Sequence, residues 1–260
     1  MIRGLWVAAS GMAAQQLKMD IIANNLANVN TNGFKKSRAD FEDLLYQTLR
    51  APGATTASGN QVPTGIQVGM GTKPVAVQKL FSQGDYVETK NELDFAIEGK
   101  GFFKILRNGE EVYIRSGAFK RDSEGFICTA DGERLQPEFS IPSEANTVTV
   151  DSGGRLVAIG SDGTELASTQ LSLYTFANPA GLQAIGGNGF IPTEASGDPQ
   201  EGTPGVDSVG TIAQGYLEMS NVDVVTEMVN MIISQRAYEV SSKAIKAADE
   251  MLQMANSIRR

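Results

Sequence analysis

Side chains that could do chemistry are sparse in this sequence. Two carboxylate pairs, Asp85 with Glu88 and Glu92 with Asp94, have the spacing of a general acid and base. Neither has a nucleophile or metal ligand beside it, and the simplest reading of each is a solvated strand or loop face. There is no histidine, which removes the usual base at neutral pH and the commonest transition-metal ligand. The single cysteine, Cys128, permits neither an intramolecular disulfide nor a multi-cysteine metal site. It lies in the apolar run Phe126-Ile127-Cys128 and reads as a buried strand thiol. Gly69-Met70-Gly71 and Gly99-Lys100-Gly101 begin like phosphate-binding loops. Pro74 and Lys104, however, stand where a dinucleotide fingerprint needs its third glycine. Asp122-Ser123-Glu124-Gly125 alternates acids as a calcium loop does, but it lacks the later bidentate glutamate, so a hairpin turn fits better. The expectation is a protein that is not an enzyme, with no catalytic, metal or cofactor-binding residue and no cofactor.

Charge narrows the partners. The chain of 260 residues has a net charge of −8, the opposite of the basic stripe that nucleic acid demands. Residues 1–38 carry a net +4 and residues 223–260 a net 0, so the stretch between them holds −12. Lys35-Lys36-Ser37-Arg38 is a small basic cluster, either solvated or set against an acidic neighbour. No run reaches the roughly 20 apolar residues that span a bilayer, and polar Ser10, Gln15 and Lys18 break any secretory h-region near the start. Neither membrane insertion nor a cleaved signal peptide is expected.

The elements that must position these residues fall into two grammars. In the first thirty residues, Leu5, Met12, Met19 and Leu26 recur every seven positions. Ala8, Ile22 and Val29 fall three after members of that row, with Gln15 as the polar exception. This predicts a helix with a narrow apolar seam, stopped by Asn28-Val29-Asn30-Thr31-Asn32-Gly33. A second long helix should begin at Ser220, Asn221 or Asp223 and run to the end, since residues 221–260 contain neither glycine nor proline. Its apolar steps include Val225, Val229, Ile233, Val240, Met251, Met254 and Ile258.

Between the helices the signals are those of strands. Residues 51–72 carry no charge but contain Pro52, Gly53, Pro63, Gly65 and Gly69, which predicts an extended arm or flexible hairpin. Beyond them, short apolar runs are punctuated by Asn108-Gly109, Glu124-Gly125, Asp131-Gly132 and Asp162-Gly163, all hairpin signals. Residues 194–211 read as a long surface loop. The fold class expected is mixed: a mainly-β centre flanked by terminal helices that pair as an antiparallel coiled coil. By domain, residues 1–33 with 221–260 form the helical part, 34–75 an extended connecting arm, and 76–220 a β-rich outer part.

A two-helix pair with apolar residues still on its outer faces is poorly stabilised alone. Packing against further copies, head to tail, would satisfy it and build an open filament. An adhesin or hydrolase on a helical stalk should instead show a convergent polar pocket, and a coiled-coil adaptor a closed small oligomer.

Three motifs add an identity to this outline. Ala23-Asn24-Asn25-Leu26-Ala27-Asn28-Val29-Asn30-Thr31-Asn32-Gly33-Phe34-Lys35 resembles the N-terminal signature of flagellar basal-body rod and hook proteins. Leu93 through Phe103 resembles a second block of that family, and Glu227-Met228-Val229-Asn230-Met231-Ile232 with Gln235-Arg236-Ala237-Tyr238-Glu239 its C-terminal block. Within the family, the length, the 51–72 stretch and Gly215-Tyr216-Leu217-Glu218 resemble the distal-rod branch; a proximal-rod or hook-type axial protein is the alternative. The resemblance implies a self-assembling, hollow and rigid shaft that transmits motor torque to the hook for motility. It sits in the basal body, crosses the periplasm, and is exported through the flagellar type III apparatus. Implied partners are further copies, proximal rod proteins, the hook protein and the outer-envelope ring bushing. Implied polymer contacts are Leu5, Met12, Met19, Ile22, Leu26 and Val29, with Val229, Ile233, Val240, Met251, Met254 and Ile258. Asn24, Asn25, Asn28, Gly33 and Phe34 carry the motif, and Pro52, Gly53, Pro63, Gly65 and Gly69 the straightening arm.

Overall fold

In the computed structural model, residues 2–53, 61, 63–206 and 208–258 are described, Ile2 and Ile258 by backbone alone. Helix α1 spans Ile2–Ala27 and gives way to turns across the asparagine-rich stretch that follows. Helix α2 spans Val224–Ile258, directly after Asp223, with Glu227 in its first turn where the helix dipole favours an acid. The two run antiparallel. A Cβ at Gly11 would stand 3.6 Å from Ser241 Oγ, whereas Asn25 Nδ2 lies 3.5 Å from Glu227 Oε2. Advancing along α1 therefore retreats along α2.

The seam between the helices is small and polar. Ala14, Ile22 and Asn25 are buried on α1, and Glu227, Ser234 and Ala248 on α2. With half-buried Ser241, the α2 positions recur every seven residues. Short side chains let the backbones approach closely, but they bury little apolar area.

The same compact unit, Met1–Leu26, Ser37–Gln78 and Val224–Arg260, contains a two-stranded ribbon. Strands β1 (Ser37–Asp43), β2 (Tyr46–Arg50), β3 (Ile66–Gly69) and β4 (Thr72–Lys79) run out and back. β1 pairs with β4, and β2 pairs with β3 antiparallel from Tyr46↔Gly69 to Arg50↔Ile66. Leu44 N donates to Gly71 O at 2.8 Å between the two pairings. The charge-free stretch thus supplies β3, the returning strand of the pair; residues 54–60 and Val62 lie outside the described residues. Thr72 N donates to Ser10 Oγ at 3.3 Å, which ties the ribbon to α1. At Gly65 a Cβ would meet Arg50 O at 2.5 Å, so only glycine fits this approach of the two chains.

The second unit, Ala27–Lys36 with Lys79–Asp223, is built of antiparallel strands. Its largest sheet is seven-stranded, in the order Gln183–Gly186, Gly189–Ile191, Glu110–Ile114, Phe103–Arg107, Arg134–Gln136, Ile127–Cys128, Lys120–Arg121. A three-stranded meander, Ala145–Val150, Arg155–Gly160 and Glu165–Gln170, adds to it. The four predicted turn dipeptides all sit between strands adjacent in sequence. Pleating sorts the core. Phe103↔Ile114 and Ile105↔Val112 pair on one face and join Phe95, Ile97, Leu156 and Leu173 in the main core. The alternate face carries Tyr113, which packs with Phe102, Tyr174, Phe176 and Phe190 in a second, aromatic cluster. Its rings meet edge to face, Tyr113 and Phe176 at 5.0 Å.

One expectation is corrected. Residues 194–211 are not one long surface loop, because a strand interrupts them: Gln200–Gly202 pairs with Leu173–Thr175, and Gly210 N donates to Lys100 O at 2.8 Å. Ser196 is completely buried and bonds Thr193 O at 2.8 Å. Turn residues mark where the chain bends, but backbone pairing decides whether the bend is loose.

Candidate assembly site

The face of α2 turned away from the inner seam carries a row of exposed apolar side chains, with Arg236, itself exposed, among them. Val225 is 70% exposed, Val240 64%, Met254 58%, Ile233 55%, Val229 50% and Met251 46%. Between them stand Met228 and Ile232, also more than half exposed. A helix normally turns such a stripe to its core. Here the core-facing row is Glu227, Ser234, Ser241 and Ala248, and the apolar residues point outward. On α1, Leu5, Met12, Met19 and Leu26 are half-buried, Ile22 is buried, and Val29 is half-buried in the turn that follows. Trp6, the only tryptophan, is 69% exposed. The side chain of Ile258 lies outside the described residues.

The ribbon repeats this inversion. Leu45 is 87% exposed, and Leu49, Ile66, Val75 and Val77 are each more than half exposed. Of the arm residues, Pro52, Gly53 and Pro63 are exposed near the tip, while Gly69 lies against the ring of Tyr46.

The asparagine motif works differently, as a set of backbone clamps. Asn25 is buried; its Oδ1 accepts from Ser37 N and its Nδ2 donates to Ser37 O, both at 2.9 Å. One side chain thereby satisfies both backbone groups where the chain enters β1. Asn24 is exposed, and Asn28 Oδ1 accepts from Thr31 Oγ1 at 3.2 Å. Gly33 has φ +70°, donates to Glu218 O at 2.8 Å, and would place a Cβ 2.7 Å from Ser116 N. Phe34 is buried beneath the Lys79 ammonium, 4.9 Å from the ring centre.

Behind Phe34 lies a cluster that sequence reasoning missed. Lys35, the first residue of the basic run, is neither solvated nor free for a neighbour, with a side chain only 1% exposed. Its Nζ meets Glu218 Oε1 at 2.6 Å and donates to Ser82 O at 2.7 Å. The other carboxylate oxygen, Glu218 Oε2, takes Arg115 Nε at 2.5 Å. The Arg115 guanidinium also donates to the carbonyls of Ile97, Gly99 and Gly101 at 2.6–2.7 Å. Burial alone would raise the Glu218 pKa, but Arg115, the Gly84 N–H and Lys35 together hold it below the usual carboxylate range. Lys35 is pushed below the ordinary lysine value, first by burial and further by Arg115, against the pull of Glu218. Two cations share one carboxylate. The available signal was positional: Arg115 continues the alternation of Tyr113 and so points inward.

The second carboxylate pair, Glu92 and Asp94, has structural duties. Glu92 Oε2 accepts from Val148 N at 3.0 Å, and buried Asp94 accepts from Asn91 at 3.1 Å. Buried Cys128 has its thiol pushed up, chiefly by desolvation. The cleft beside the cluster is walled by Phe81, Phe102, Phe176 and Pro179, with no carboxylate among its lining residues.

Comparison with known proteins accounts for this arrangement. Residues 5–35 match a family described as "Flagella basal body rod protein". Residues 96–158 match "Flagellar hook protein FlgE/F/G D1 domain", and residues 213–258 match "Flagellar basal body rod FlgEFG protein C-terminal". Lys35, Arg115 and Glu218 come one from each of these three segments. The chain is 47% identical to the flagellar basal-body rod protein FlgG of Borreliella burgdorferi, over the full length of both. It is 46% identical to that of Caulobacter vibrioides over 99% of this chain and all of the relative. With that of Agrobacterium fabrum the identity is 45%, over 96% and 97% of the two chains. At these identities, over nearly the whole of each chain, the chain belongs to the flagellar basal-body rod protein FlgG family.

Proposed function

We propose that this chain builds the distal part of the flagellar rod by polymerising head to tail into a stiff, hollow shaft that carries torque to the hook. It is a structural rod subunit and not an enzyme. The observation that supports the polymer reading most strongly is the outward apolar face of α2. A stripe from Val229 to Met254 has no cover within the described residues, and a second copy presenting α1 or α2 would bury it. At about 25 cal/mol per Å², such burial contributes on the order of 1 kcal/mol or more for each of these side chains.

In this reading Leu5, Met12, Met19, Ile22, Leu26 and Val29 join Val229, Ile233, Val240, Met251, Met254 and Ile258 at subunit contacts. The arm around Pro52, Gly53, Pro63, Gly65 and Gly69 reaches a neighbour and keeps the tube straight. Residues 1–33 with 221–260 form the inner helical part, 34–75 the connecting arm and 76–220 the outer part, which faces the ring bushing. Proximal rod proteins and the hook protein cap the two ends, and the type III apparatus delivers the chain to a shaft that crosses the periplasm.

The test is sedimentation and electron microscopy of the full-length chain beside the double variant Val229→Asp/Ile233→Asp. The parent should form sedimenting straight tubes, and the variant should stay in the supernatant with the circular dichroism of its β-rich unit unchanged. Tubes from the variant at the parental concentration would refute the contact.

A further inference from the structure

We propose that Lys35, Arg115 and Glu218 are a latch that fastens the connectors of both terminal helices to a single point of the β-rich unit. Its purpose rests on the rod-subunit reading; its geometry does not. Residues 27–36 lead out of α1, and residues 219–223 lead into α2. The first connector holds the second through Lys36 N to Asn221 Oδ1 at 2.8 Å, and the strand before it through Gly33 N to Glu218 O at 2.8 Å. Asn221 Nδ2 also donates to Leu80 O at 2.8 Å, which pins the second connector to a third segment.

What makes this a latch rather than a set of separate anchors is the sharing of one carboxylate. Glu218, on the strand before α2, accepts Lys35 from the α1 connector on one oxygen and Arg115 from the sheet on the other. Arg115 is in turn immobilised by three carbonyls of the 97–101 segment. A pull on either helix is therefore taken by the same ion cluster, and loosening one connector removes a partner of the other. The stoichiometry also sets an asymmetry. Without the Glu218 charge, two cations remain buried without a counter-ion; without Lys35, a balanced Arg115–Glu218 pair is left.

Hydrogen-exchange mass spectrometry of the full-length chain tests this. In Glu218→Gln, amides of residues 31–36 and of residues 215–221 should both exchange at least about tenfold faster, and both should lose more protection than the hairpin of residues 103–114. In Lys35→Met the same two regions should loosen together, by a smaller factor. Loosening confined to 31–36 in Lys35→Met, or to 215–221 in Glu218→Gln, would overturn the latch. If Glu218→Gln unfolds the 103–114 hairpin as well, Lys35→Met decides, because it retains the balanced pair. Polymer formation is read separately by sedimentation: a chain with coupled exchange that never polymerises sinks the rod reading and leaves the latch standing.

Discussion

The two compact units treat apolar and polar residues in opposite ways. In the β-rich unit, Phe95, Ile97, Phe103 and Leu173 are buried to 1% exposure or less, and its buried charges are paired or hydrogen-bonded, three of them in the Lys35 cluster and Asp94 to Asn91. In the helix-and-ribbon unit, valines, isoleucines and methionines face outward, while Asn25, Glu227 and Ser234 occupy the seam. The first unit satisfies itself. The second keeps its strongest apolar surface for something else, and its polar seam fixes register and direction more than it adds stability. An Asn25 clamped to Ser37 and set against Glu227 fits one alignment of the helices, whereas a seam of leucines would tolerate several.

The sharpest way to break this contrast is to attack the cluster in which the self-sufficient unit buries three charges together. Glu218→Gln should destabilise the β-rich unit by about 3–5 kcal/mol, read as a fall in its chemical-denaturation midpoint. The loss should also remove an acid dependence. The carboxyl is held below its ordinary 4.5, so its stabilising contribution is complete above that pH and disappears as pH falls through the lower folded value. The parent should therefore lose stability on acidification below about pH 4.5 more steeply than the variant, and parallel pH curves for the two would show that Glu218 is not the group responsible.

A smaller effect sharpens the other side. Asn25→Ala leaves the Ser37 N–H and C=O without their side-chain partner, at a cost of about 1–3 kcal/mol. Faster exchange at residues 24–38 with no change in residues 103–114 is the expected pattern; a uniform change would mean that the motif supports the whole chain equally. The smallest effect belongs to Cys128. Cys128→Ser should shift stability by roughly 1 kcal/mol, and the native thiol should react with a water-soluble disulfide reagent far more slowly than the denatured chain. Rapid labelling of the native chain would place that strand outside the core.

Much of the fold could be read before any coordinates, for reasons that are local. A helix without glycine or proline and a turn at Asn108-Gly109 each depend on neighbours within a few positions. The polar strands Glu165–Gln170 and Gln183–Gly186 escaped notice because they lack apolar alternation and are held by ladder pairing. The face of α2 was harder. Two rows share that helix, one apolar through Val229 and Val240 and one small through Ser234 and Ser241, and intuition turns the apolar row inward. Only the position of α1 separates them. The charge cluster was least legible: its members lie up to 183 residues apart, and a lysine inside a basic run gives no sign of burial.

The register of the helix pair has one more consequence. With Gly11 opposite Ser241, the start of α1 falls opposite about residue 250, so the 35-residue α2 outruns its partner by about two turns, or roughly 12 Å. Met251 and Met254 sit on that overhang. A lone copy thus ends in a step and not a flush face. In the head-to-tail polymer proposed above, such steps would overlap like staggered planks, so that sliding one layer past the next would mean shearing a splice along its length instead of parting a butt joint.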